Sequence, residues 1–167
     1  MPVSATSVAS IPIQALAATV AASTTFQTLV GAEDAAEAIG HVYYLEADDR
    51  RDSDADDMAN DRPRAIVTFP THRIEQVGLA SLNHAGSLEL SLEAEVPSEH
   101  QGNKRQEALW FANTYGAIVD EMFAAAWSDP STYLNMRAAE LVGAPIEVRH
   151  ECPRPFWEVV LRIEWFG

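Results

Sequence analysis

The stretch from Asn103 to Trp127, NKRQEALWFANTYGAIVDEMFAAAW, constrains the fold of this chain more than any other. Ala108, Phe111, Ala112, Tyr115, Ile118, Val119, Met122, Phe123 and Ala126 recur at i, i+3, i+4 and i+7, which lays one broad apolar stripe along a helix. Glu107, Asn113, Asp120 and Glu121 fall on the opposite side and are expected to face water. At about 1.5 Å per residue, about 24 residues make a rod of roughly 36 Å. Its stripe cannot stay wet, so the chain must supply a large apolar surface for it to lie on.

Alternating segments supply that surface. Ser87 to Val96 sets Leu88, Leu90, Leu92, Ala94 and Val96 against Ser87, Glu89, Ser91, Glu93 and Glu95. That is the clearest strand pattern in the chain, with one face in the core and one acidic and wet. Phe156 to Phe166 is a second strand, with Trp157, Val159, Leu161, Ile163 and Trp165 facing one way and Glu158, Arg162 and Glu164 the other. Val160 interrupts that polar side, which marks it for cover by a partner. Shorter strands are expected at His41 to Glu46, at Ala65 to Phe69 closed by Pro70, at Tyr133 to Leu141 and at Ile146 to His150. Thr71 to Gly78 reads as a strand edge.

Ahead of these, Met1 to Ser10 reads as a flexible arm. Ser10 and Pro12 open a helix that Ile13, Leu16, Ala17 and Val20 give an apolar face, extended by Phe26, Leu29 and Val30 and stopped at Gly31. Glu33 to Ile39 suggests a short helix ending at Gly40. The expected fold is α+β: a mostly antiparallel sheet of about five to six strands, with an N-terminal helix and one long central helix on one face. The sheet's other face would carry Glu89, Glu93, Glu95, Glu158, Arg162 and Glu164. Residues 11–167 read as one domain carrying an acidic loop insert at about 46–62, where eight acids and three arginines crowd together.

The 167 residues carry a formal charge of −14 and a single lysine, Lys104. Coating DNA or an anionic membrane demands clustered Lys and Arg, so that class is disfavoured, though a surface past which DNA slides is not. The lone cysteine, Cys152, rules out an internal disulfide. No stretch reaches the roughly 20 apolar residues of a membrane span. With no Lys or Arg before Arg50, the start reads as mature fold and the protein as soluble and intracellular.

Candidate chemistry is sparse. Asp52, Asp54 and Asp56 have the first, third and fifth spacing of a calcium loop, but Asp57 stands where glycine is needed and Pro63 where glutamate is. These acids read as a solvated loop. His150 and Cys152 stand two apart, so both can point to one side of a strand as a thiol–imidazole pair. A strand-end histidine and a buried thiol are the plainer reading. Trp110, Trp127, Trp157 and Trp165 fit a ligand pocket or, more plainly, core and interface. There is no HExxH, no Gly-rich phosphate loop and no GxSxG. The chain therefore reads as a non-enzyme with no cofactor or metal.

The order of parts is similar to a known family. The Ala-rich first helix followed by TFQTLVGA, the RPRAIVTFP strand, the alternating SLELSLEAEV, the helix QEALWFANTYGAIVDEM and the closing FWEVVLRIEWFG together resemble tail terminator (tail completion) proteins of tailed bacteriophages. The resemblance spans about Ile11 to Gly167 and rests on layout rather than a diagnostic motif. It implies an α+β protein of the virion tail or neck that assembles as a homo-oligomeric ring, six copies in the family. Such a ring caps the tail tube, ends its growth and offers a docking surface to the head–tail connector, while DNA passes without specific binding. The acidic insert has no counterpart in that pattern. Tyr43, Ser87, Glu89, Glu93, Glu95 and Val160 are the candidate subunit or tail contacts, and Asp52, Asp54, Asp56 and Asp57 the candidate lumen acids. The alternatives are another neck protein (connector or stopper), a thiol enzyme or small-ligand protein using Cys152 and His150, and an acidic mimic of DNA.

Overall fold

In the computed structural model, which describes residues 11–44, 62–76, 82–148 and 155–167, the long apolar stripe lies on the sheet as its periodicity requires. Three short helices come first: α1 (Ile11–Ala21), α2 (Thr24–Val30) and α3 (Ala35–Ala38). Strands β1 (Val42–Tyr44), β2 (Arg64–Gln76) and β3 (Leu82–Ala94) follow. The long helix α4 (Lys104–Ser128) then leads to β4 (Met136–Leu141), β5 (Ile146–Val148) and β6 (Phe156–Phe166). The fold is α+β. The six strands form one mixed sheet in the order β1-β2-β3-β6-β4, with β5 also paired to β6. Among the described residues, β1 and β2 alone run parallel and the other pairings are antiparallel.

One face of the sheet and the helices share a core. Ala65, Val67, Leu88, Leu90, Leu92, Ala94, Val159, Leu161, Ile163 and Trp165 from the sheet meet Leu16, Ala17 and Val20 of α1, Phe26 of α2, and Phe111, Ile118 and Met122 of α4. Each fully buried Leu, Ile or Phe among them contributes about 1.5–3 kcal/mol against exposure. The alternation read in β3 and β6 therefore selects the buried face correctly. Tyr115, Val119, Phe123 and Trp157 flank this core partly buried.

Several boundaries move from the sequence-based expectation. The N-terminal helix is not continuous to Gly31: it breaks after Ala21, and α2 leaves at 79°. Ser23 causes the break, because its hydroxyl accepts from the Phe26 N–H and so starts a new helix as its N-cap. Gly31 does stop α2, in a left-handed conformation (φ 73°). Pro70 does not close β2, which runs on to Gln76. The ladder to β3 shifts register between Thr68 and Thr71, an irregularity of the kind that lets a strand carry a proline. β3 correspondingly starts at Leu82, well before Gly86, and ends at Ala94. The expected strand at Tyr133 begins only at Met136.

Two glutamates placed on the wet side of the long helix are structural. Glu107 is buried and accepts from the Gly102 N–H at 3.0 Å, beside the Asn103 side chain that caps α4. Glu121 reaches across to the start of α2. Its carboxylate accepts from Ser23 Oγ (2.6 Å), Thr24 Oγ1 (3.2 Å), Thr25 N–H (2.9 Å) and Thr25 Oγ1 (2.8 Å). Partial burial alone would raise its pKa; the hydrogen bonds from Ser23, Thr25 and Thr24 outweigh it and hold the carboxyl below the usual glutamate range. Glu121 also satisfies N–H and hydroxyl groups at a helix start, where negative charge is favoured.

Candidate interaction surface

The helix-free face of the sheet was expected to be acidic and wet. Its middle is neither. Glu93 and Ser91 are buried there with Arg64, Thr68 and Ile66. Register explains the crowding: Glu93 stands directly across from Arg64 on one side and from Glu158 on the other. Two carboxylates facing across a ladder repel each other, so each is tied to donors. Arg62 Nε and Arg64 Nε both donate to Glu93 Oε2 at 2.9 Å, and Ser91 Oγ donates to Glu158 Oε1 at 3.0 Å. The Arg62 guanidinium also lies 3.5 Å over the Phe156 ring. Neither arginine was singled out from the sequence, where Arg62 closes the acid-rich run. The one signal was the strand alternation itself, which sets Arg64 opposite in phase to Ala65 and Val67.

The other candidate contacts are scattered. Glu89 is half-buried and lies 3.8 Å from Arg162. Ser87 pairs with Thr71 and with Glu164 near the middle of β3. Glu95 is not on the strand face: it lies past Ala94 and lines a recess with Glu107, Glu147 and Trp157. Tyr43 pairs with Ile66 on β1, and Val160 with Ser91 on β6. Asp52, Asp54, Asp56 and Asp57, the arm before Ile11, and the His150–Cys152 pair lie outside the described residues.

The tryptophans do not converge on a cavity. Trp110 and Trp157 each pack beside Phe111, at 6.2 and 6.0 Å, Trp165 is buried, and Trp127 is 91% exposed at the end of α4. His100 stacks on Trp110 at 6.1 Å. A groove of about 530 Å³ between the start of α1 and the 130–135 turn is lined by Ile11, Ala15, Tyr133, Leu134 and Phe166 among others, without an acid, histidine, lysine, arginine or cysteine. It offers apolar shape with the hydroxyl-bearing Ser131, Thr132 and Tyr133 in its polar lining. Among the described residues, no three His, Cys, Asp or Glu side chains converge as a metal site would require.

Among the described residues, the sheet does leave backbone unpaired. β2 and β3 continue as a two-stranded ribbon beyond the rest of the sheet. The last rung to β6 joins Ala85 to Phe166, whereas Ile74–His84, Glu75–Asn83 and Gln76–Leu82 lie further out. Among the described residues, β1 reaches β2 at Ala65 to Val67 alone. No known protein family matches this sequence, and no curated protein sequence does.

Proposed function

We propose that this protein is a structural component of a bacteriophage tail or neck, acting as a tail terminator: a ring of copies that caps the tail tube and receives the head connector. The observation that carries the reading is the projecting β2–β3 ribbon, whose outermost rungs lie, among the described residues, past both neighbouring strands. A two-stranded ribbon is marginal in water by itself, and its open edges are templates for another chain. A ribbon of this kind suits a protein whose task is to join other subunits. The α+β layout agrees with the resemblance in element order, and the charge of −14 suits a lumen past which DNA slides without sticking.

The test is genetic. A lysate of the encoding phage made without this protein is expected to hold tails of abnormal length beside unattached heads. Normal, joined particles would sink the proposal. Tails of normal length beside unjoined heads would move the assignment to the connector.

A further inference from the structure

The register of the sheet carries one apolar row from edge to edge. Tyr44 pairs with Val67, Val67 with Leu90, Leu90 with Leu161, and Leu161 with Leu141. The three middle residues are buried, but the ends emerge: Tyr44 is 52% exposed on β1 and Leu141 43% exposed on β4. Other exposed apolar residues stand along the same two edges: Ile39 before β1 at 40% exposed, and Val142 and Ile146 after β4 at 42% and 55%. Ile146 pairs with Glu158 and so faces the helix-free side of its edge, opposite to Leu141. At about 4.8 Å per strand, the two edges stand roughly 19 Å apart. Among the described residues no strand pairs with the outer edge of either β1 or β4.

We infer that these two edges join: the β1 edge of one copy packs on the β4–β5 edge of the next, so that the Tyr44–Leu141 row runs on from copy to copy. Charge argues for a second copy as the occupant. In a chain with a charge of −14, most contacts between copies repel. Ile39 to Tyr44 (IGHVYY) contains no acid, lysine or arginine, so Glu140 and Glu147 on the β4–β5 edge, beside Arg137, meet no like charge on it. Direction argues for it too. β2 is parallel to β1, β3 opposes β2, β6 opposes β3, and β4 opposes β6, so β1 and β4 run in opposite senses. A neighbour brought alongside in the same orientation therefore presents an antiparallel edge. Such a contact is heterologous, and it closes into a ring when the rotation per copy allows.

This inference deepens the ring reading above and rests on it, but the two are tested apart. In a Cys152→Ser background, Tyr44→Cys with Leu141→Cys is expected to give a ladder of disulfide-linked oligomers under mild oxidation at high protein concentration, while each single variant stays monomeric on a denaturing gel. Tyr44→Asp or Ile146→Asp should weaken assembly, read by native mass spectrometry, by roughly tenfold or more, since each pushes an unpaired carboxylate into an apolar contact. Both positions are half exposed, so circular dichroism and melting should stay near wild type. Rings that persist in the Asp variants would overturn this contact and leave the ring itself standing. Dimers from Leu141→Cys alone would show a two-fold contact and overturn it as well. A monomeric protein without any ladder would also overturn it, while the lysate phenotype judges the tail assignment separately.

Discussion

Removing the Glu121 carboxylate should cost far more than its position on a helix surface suggests. Glu121→Ala deletes the acceptor of four hydrogen bonds from Ser23, Thr24 and Thr25. Thr24 is exposed and Thr25 partly so, and water can replace much of what they lose. Ser23 is fully buried, and its hydroxyl proton would have no acceptor while its oxygen still caps Phe26. Discounted for the solvent around the carboxylate, the loss is about 1–2 kcal/mol, comparable to losing a helix N-cap. At about 2–4 °C per kcal/mol for a chain of this size, the melting temperature should fall by roughly 2–8 °C. The dependence on pH follows from the depressed pKa. The folded carboxyl is the stronger acid, so its contribution is complete above the ordinary glutamate range and fades as pH falls through the folded value. Urea melts of wild type and Glu121→Ala at several pH values, with exposed Asp120→Ala as control, would measure both. A loss under about 0.5 kcal/mol at neutral pH, the size of an ordinary surface substitution, would refute the reasoning. So would a difference that does not shrink in acid.

Two further substitutions probe the sheet and the helix layer. Glu93→Ala removes the carboxylate shared by Arg62 and Arg64, whose side chains are each only 7% exposed, and should cost about 3–5 kcal/mol in a urea melt, with Glu93→Gln costing less. Thr19→Val keeps the shape of a buried side chain that donates to Ala15 C=O at 2.6 Å and accepts from Leu134 N–H at 2.9 Å. It should cost about 1–3 kcal/mol and speed hydrogen exchange at Leu134, and Thr19→Ser should restore both.

The local period of the chain determined a good deal: which segments became the main helix and strands, and which side of each was buried. Period is a property of neighbouring residues, so Leu88, Leu90 and Leu92 announce their common face without any partner in view, as do Phe111, Ile118 and Met122 along α4. Ser23-Thr24-Thr25, a run of helix-capping residues, carried the break after α1 in plain sight, but the apolar residues on both sides masked it. Only the tertiary structure decided what depends on distant segments meeting. Glu121 and Glu107 sit at solvent-side positions of their helix and became caps because α2 and the 98–102 turn arrive there. Glu93 reads as a wet acid until β2 and β6 set Arg64 and Glu158 beside it. Strand order is likewise a long-range fact: nothing within β1 or β4 says that they form opposite edges, or that Tyr44 and Leu141 end the same row. Hydrophobic pattern specifies a face, while pairing specifies a neighbour, and the surfaces through which this protein would meet another copy depend on the second.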